Sequence, residues 1–136
     1  MNVPKRFLLL LHVVLLVGAL LASSGCSHVR MALFMRKDNP TAGDPESIVR
    51  GQQVFAAQCA SCHGERADGA GPRAGELAAV PTNFLAPDYD KSAPRIAARI
   101  AYGRGRVMPA FVDQLPEDQI WDLANYLHSL QKPPAP

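Results

Sequence analysis

Cys59-Ala60-Ser61-Cys62-His63 constrains this chain more than any other stretch. Two thiols two residues apart, followed at once by a histidine, form the attachment pattern of a c-type haem. Both sulfurs can reach the vinyl groups on one porphyrin edge and become thioethers. The histidine then lies under the iron as its proximal ligand. The fold expected is therefore one built around a single covalent haem c, held by Cys59, Cys62 and His63. Two other chemistries use paired cysteines. A structural zinc site wants four protein ligands, and the third cysteine, Cys26, lies far upstream. A redox dithiol belongs in a βαβ setting, and no strand-like alternation precedes this motif.

The N-terminal segment agrees with haem attachment by compartment. Lys5 and Arg6 open it, and Phe7 to Ala22 is apolar apart from His12. That run is short for a membrane span, which needs about 20 apolar residues, and has the layout of a secretory signal. Ser23-Ser24-Gly25-Cys26 follows. Small residues ahead of a cysteine, just past an apolar run, resemble the lipobox of bacterial lipoproteins, with Ser23 where leucine is usual. On that resemblance, residues 1–25 are a signal peptide and Cys26 becomes a lipidated N-terminus on the periplasmic side of the cell membrane. An uncleaved N-terminal anchor, or a signal cleaved nearby with Cys26 incidental, remain the other readings. A diacylated cysteine would hold the protein on its membrane, since two acyl chains give stable residence where one does not.

The 14 basic and 12 acidic residues leave the whole chain at +2. Loss of Lys5 and Arg6 with the signal brings the remainder to zero, and haem propionates would make it slightly acidic. That balance gives no excess of positive charge for nucleic acid. Arg95, Arg99, Arg104 and Arg106 do cluster in sequence. They read either as a solvated helix face and loop or as a patch that meets propionates or an acidic partner. Residues 26–44 read as a lipid-anchored tether, ending in the turn-rich Asn39-Pro40-Thr41-Ala42-Gly43-Asp44-Pro45. Within it, Met31 to Met35 form an apolar island beside Arg30, Arg36 and Lys37. The island is expected at the lipid interface, on a partner, or in a partly ordered linker.

Residues 45–132 are the haem domain, and 133–136 a proline-rich tail. A domain this small buries a thin core, and a covalent haem supplies the missing apolar mass. The pattern is all-α. Asp44-Pro45 reads as an N-cap with proline in the first turn, opening a helix with Gly51, Phe55 and Cys59 on one face. A second helix begins near Ala93-Pro94 and stops at Gly103. A third begins around Pro116, with Ile120, Leu123, Ala124, Leu127 and Leu130 as its apolar stripe. After the haem motif there is one methionine, Met108, in Arg106-Val107-Met108-Pro109-Ala110-Phe111. Met108 is either a core residue or the sixth ligand, with His128 on the last helix as the rival ligand.

Residues 46–131 resemble the class I monohaem cytochromes c, in a membrane-anchored lipoprotein form. The likeness rests on Gly51 and Phe55 ahead of CASCH and on the final helix Ile120-Trp121-Asp122-Leu123-Ala124-Asn125-Tyr126-Leu127. It implies a small all-α fold, three or more helices around one haem. The first and last helices cross closely at Gly51, packed by Phe55, Leu123 and Tyr126. The resemblance also implies that Met108, after a glycine-rich turn and before a proline, is the axial ligand opposite His63. It implies that Pro72 offers its carbonyl to the free nitrogen of His63, and that Pro81-Thr82-Asn83-Phe84 line the haem side or propionates.

With both axial positions filled, the expected work is outer-sphere transfer of one electron, and no catalytic acid, base or nucleophile is nominated. The expectation is a membrane-tethered electron carrier, or a fixed subunit of a respiratory complex. Its partners would be a quinol-oxidising complex, a dehydrogenase or a terminal oxidase. A haem enzyme or gas sensor with a labile sixth ligand is the alternative, and requires Met108 to be off the iron or easily displaced.

Overall fold

The computed structural model describes residues 6, 7, 10–14 and 28–131. Cys26, the expected signal cleavage site and the 133–136 tail lie outside them. Residues 28–34 are helical (α1). Four further helices follow, α2 Pro45–Gln58, α3 Ala60–His63, α4 Ala93–Tyr102 and α5 Glu117–Ser129. Among the described residues the one β pairing is an isolated bridge between Arg104 and Met108. The fold is thus all-α, as the helical periodicities predict.

Helices α2, α4 and α5 start where the sequence places them, whereas α1 lies in the stretch read as a tether. The Asp44 side chain accepts the Glu46 backbone N–H at 2.9 Å, and Pro45 occupies the first turn of α2. Gly103, at φ +67°, ends α4 in a conformation that side chains rarely adopt. Helix α2 then crosses α5 at Gly51. A Cβ there would run into the Asp122 carbonyl oxygen and come within 2.9 Å of the Tyr126 Cβ, so only glycine lets the two backbones approach this closely. Beside the crossing, Arg50 donates to both oxygens of the buried Asp122, at 2.7 and 3.0 Å, and to Asp44 at 3.1 Å. A buried carboxylate held by a guanidinium fork in this way is not left uncompensated.

Residues 28–44, read as part of the tether, pack against the helices that follow. Phe34 is 4% exposed. It stacks on Trp121, with centroids 5.5 Å apart and planes at 20°, and meets Tyr102 edge-on at 5.9 Å. Lys37 pairs with Glu117 at 2.7 Å, Asn39 donates to Asn125 at 2.6 Å, and Asn125 in turn donates to Thr41 and Ser47. The segment is thus fastened to α5 from Phe34 to Thr41. Its physical cause is the open indole face of Trp121, which the helices α2, α4 and α5 leave for Phe34 to cover.

Candidate haem site

The motif begins as α2 ends. Cys59 is the C-cap of α2, its N–H bonded to the Phe55 carbonyl at 2.9 Å, and α3 carries the chain to His63. Gly64, at φ +80°, then turns it away. The returning loop is stitched to the motif's own backbone: Gly71 N donates to Cys62 O at 3.2 Å and Arg73 N to Ser61 O at 2.9 Å. Farther along, Phe84 N donates to Ala67 O at 2.8 Å. That bond brings residues 81–84 against the imidazole.

His63 Nδ1 lies 3.2 Å from the Thr82 carbonyl oxygen. A carbonyl can only accept, so this contact puts the proton on Nδ1 and leaves the Nε2 lone pair free for a metal. Burial lowers the His63 pKa, partly offset by the bond to Thr82, and a neutral imidazole is the ligating form. The acceptor expected from Pro72 is therefore supplied by Thr82. Pro72 is exposed and lines no part of the cavity; the loop around it is occupied with the backbone of Ser61 and Cys62.

His63 faces a cavity of about 510 Å³, continuous in its lining with a second of about 410 Å³. Cys59, His63, Thr82, Arg99, Met108 and Phe111 line both, and Cys62 lines the second. The walls of the first are apolar, from Phe55, Phe84, Ile96, Ile100, Leu123 and Leu127. Lys91, Arg95, Arg99 and Arg104 reach one or both cavities, Arg106 neither, and no carboxylate lines either. A flat apolar group bearing two negative substituents fits these walls. Two thiols stand at its edge, and a nitrogen ligand is already oriented.

Met108 reaches the same cavity on a loop fastened to α4. Arg104 N donates to Met108 O at 2.9 Å, and the Arg99 guanidinium donates to Gly103 O at 3.1 Å. Phe111 N donates to Ile100 O at 3.1 Å. A side chain at Gly103 would come within 2.5 Å of Met108 O. The rival His128 is exposed on α5 and lines neither cavity. Met31 and Met35, assigned to the tether in sequence, line the first cavity instead. The reason is the docking of Phe34 between them, a contact across more than eighty residues that no local pattern encodes.

The other chemistries of a CxxC find no support in this geometry. Burial, and then the neighbouring Cys62, push the Cys59 thiol up to about 12, opposite to the lowered pKa of a reactive dithiol. Among the described residues no group of three or more His, Cys, Asp or Glu side chains is placed to hold a metal ion.

Residues 46–127 match the protein family described as cytochrome c oxidase, cbb3-type, subunit III. Among curated proteins, the chain is 32% identical over 104 residues to the cbb3-type cytochrome c oxidase subunit CcoP of Azospirillum brasilense, covering 74% of this chain and 34% of that one. It is 37% identical over 99 residues to CcoP of Rhodobacter capsulatus, covering 65% and 32%. It is 33% identical over 114 residues to subunit FixP of Azorhizobium caulinodans, covering 83% and 37%. The chain thus spans about a third of the length of these relatives. Among solved structures, a chain of the reducing HAO-like protein complex of Kuenenia stuttgartiensis superposes with a TM-score of 0.63 at 26% identity, covering 71% of this chain and 50% of that one.

Proposed function

We propose that this chain, which belongs to the family of cbb3-type cytochrome c oxidase subunit III, carries one haem c and passes single electrons to a terminal oxidase or a comparable respiratory partner. The observation that carries the reading is the convergence of Cys59, His63 and Met108 on one apolar cavity, with His63 already tautomerically fixed by Thr82. Cys59 and Cys62 would hold the macrocycle as thioethers, and His63 and Met108 would be its axial ligands. When bound, haem c supplies a one-electron couple whose potential is raised by methionine on the iron.

The protein's share of the work is positional. The Thr82 carbonyl orients His63 and makes it a stronger donor. The bonds from Arg104 and Arg99 hold the 103–108 loop closed over the site. Phe55, Phe84, Ile100 and Leu127 exclude water, and Lys91, Arg95 and Arg99 stand ready for propionates. Rigid ligands mean little rearrangement between the two oxidation states, which suits outer-sphere transfer during a small, weak redox contact. Residues 1–25 act as a signal, and lipid on Cys26 keeps the protein on the periplasmic face of the membrane.

A redox titration with ferric and ferrous spectra tests this reading. Wild type is expected to be low-spin in both states, with the long-wavelength sulfur-to-iron band in the ferric spectrum. Met108→Ala is expected to keep the haem attached, lose that band, lower the potential and bind carbon monoxide. High-spin wild-type iron, or prompt carbon monoxide binding without the substitution, would instead make this a haem enzyme or sensor.

A further inference from the structure

Helix α1 has two faces with different fates. At 100° per residue, Val29 and Leu33 lie on the side opposite Met31 and Phe34. The inner side is fixed: Phe34 is 4% exposed and stacked on Trp121. The outer side is open: Val29 and Leu33 are each 58% exposed. Arg30 leans back over the Tyr102 ring, 5.8 Å from its centroid, whereas Arg36, just past the helix, is exposed and has no carboxylate within ion-pairing distance among the described residues. One residue, Ser27, separates His28 from Cys26, two steps of chain that reach at most about 7 Å in any conformation. The apolar run Phe7 to Ala22 lies just before that, and its described residues, 7 and 10–14, are helical with Phe7, Leu10, Leu11, Val13 and Val14 exposed.

We propose that the outer face of α1 lies on the lipid surface, with Val29 and Leu33 in the interface and Arg36 among anionic headgroups. Because the inner face is locked to the domain, α1 acts as a strut that presents the haem site in one orientation to the membrane. This rests on the membrane-held reading given above, and decides within it for a fixed component over a long-reach shuttle. Amphipathic helices with apolar and basic side chains on one exposed side lie in the interface plane in this way. The occupant is lipid because the chain leading into α1 ends within one short step of the acyl anchor, or continues directly from an uncleaved apolar segment. Either route places this face at the bilayer first.

The test uses the full-length, lipidated holoprotein in its ferrous, diamagnetic state. Cys59 and Cys62 are consumed by haem and Cys26 by lipid, so Leu33→Cys takes a single nitroxide label. On reconstitution into phosphatidylethanolamine–phosphatidylglycerol vesicles, the label is expected to lose access to a water-soluble nickel relaxer and gain access to oxygen. Arg36→Gln should weaken that change in phosphatidylglycerol-rich vesicles. In oriented bilayers the haem absorption should be dichroic in wild type and lose its dichroism in Phe34→Ala, with an unchanged Soret band reporting intact haem packing. A label that stays aqueous on vesicle-bound protein overturns the proposal. So does protection that appears only in native membranes, which would mean a protein partner, or that scales with protein concentration in solution, which would mean a second copy. Failure to bind vesicles at all overturns the membrane-held reading itself, and this inference with it.

Discussion

At the scale of single residues, the backbone carbonyl of Thr82 does what a side chain does in many metal sites. Its bond to His63 Nδ1 strengthens the imidazole as a donor, and a stronger donor favours ferric over ferrous iron. Weakening the bond should therefore raise the potential. Gly69, at φ +81°, has room for no side chain, since a Cβ would stand 2.7 Å from the Pro81 carbonyl oxygen. Gly69→Ala is expected to push the 81–84 segment off His63 and shift the potential upward, whereas Pro72→Ala should leave it in place. A redox titration of the two variants side by side checks this. Equal shifts would mean that Thr82 is not the acceptor that matters. Sequence could not choose between these positions, because a carbonyl acceptor has no residue signature. Every residue carries one, and only the Phe84 N to Ala67 O bond selects Thr82 for the task. The five residues of CASCH are different. Their chemistry depends on contiguous spacing, so they are legible without any tertiary information.

At the scale of elements, the same contrast holds between local and distant causes. The start of α2 at Asp44-Pro45 and the end of α4 at Gly103 are written in neighbouring residues, and the structure follows them. The α2–α5 crossing is legible only as the pairing of a glycine with a family pattern, but its physical content is severe. Gly51→Ala is expected to destabilise the holoprotein by about 1–3 kcal/mol as overpacking, more than the few tenths to about 1 kcal/mol that lost chain flexibility returns. Denaturant unfolding followed by far-ultraviolet circular dichroism would measure it. No such pattern announced the docking of 28–44, which depends on Phe34 finding Trp121. Its outer clasp, Lys37 with Glu117, should be sensitive to acid. The Lys37 ammonium holds the Glu117 carboxyl below its ordinary range, with the Trp121 indole N–H adding to it. A depressed carboxylate stabilises the fold fully above its unfolded value, near about 4.3, and that contribution is lost as pH falls through the lower, folded value. Both side chains are about half exposed, so the pair contributes no more than about 1 kcal/mol. Amide exchange in 28–44, corrected for intrinsic rates, should thus rise by at most about fivefold between neutral pH and pH about 3. Glu117→Gln should remove that rise.

At the scale of the whole molecule, the question is what fills the middle. The helices converge on Phe55, Ile96, Ile100, Leu123 and Leu127, yet each of these also lines the cavity beside His63. The core is therefore shared between protein and cofactor: α5 packs on both α2 and α4, while α2 and α4 do not touch each other. Were the first cavity left empty and dry, 510 Å³ at roughly 24 cal/mol per Å³ would cost on the order of 12 kcal/mol. That is an upper bound, because side chains collapse and water enters, but it matches the entire stability of an ordinary domain, about 5–15 kcal/mol. The chain without haem should accordingly lose its fixed packing before it loses its helices. Cys59→Ala with Cys62→Ala, purified without haem, is expected to keep much of its far-ultraviolet signal, lose the near-ultraviolet signal of Trp121 and bind a hydrophobic dye. Sharp, cooperative thermal unfolding of that variant would mean that the protein core stands alone and the cavity closes by itself. The 28–44 segment makes the same measurement more discriminating. Its clasp, Phe34 on Trp121 and Asn39 on Asn125, touches α5 on the side away from His63. If the α1 contacts survive in the haem-free chain, protection of Trp121 from quenching by iodide should outlast the near-ultraviolet signal of the remaining aromatic core. If they depend on the haem, both are lost together, and α1 is positioned by the cofactor rather than by the tryptophan it covers.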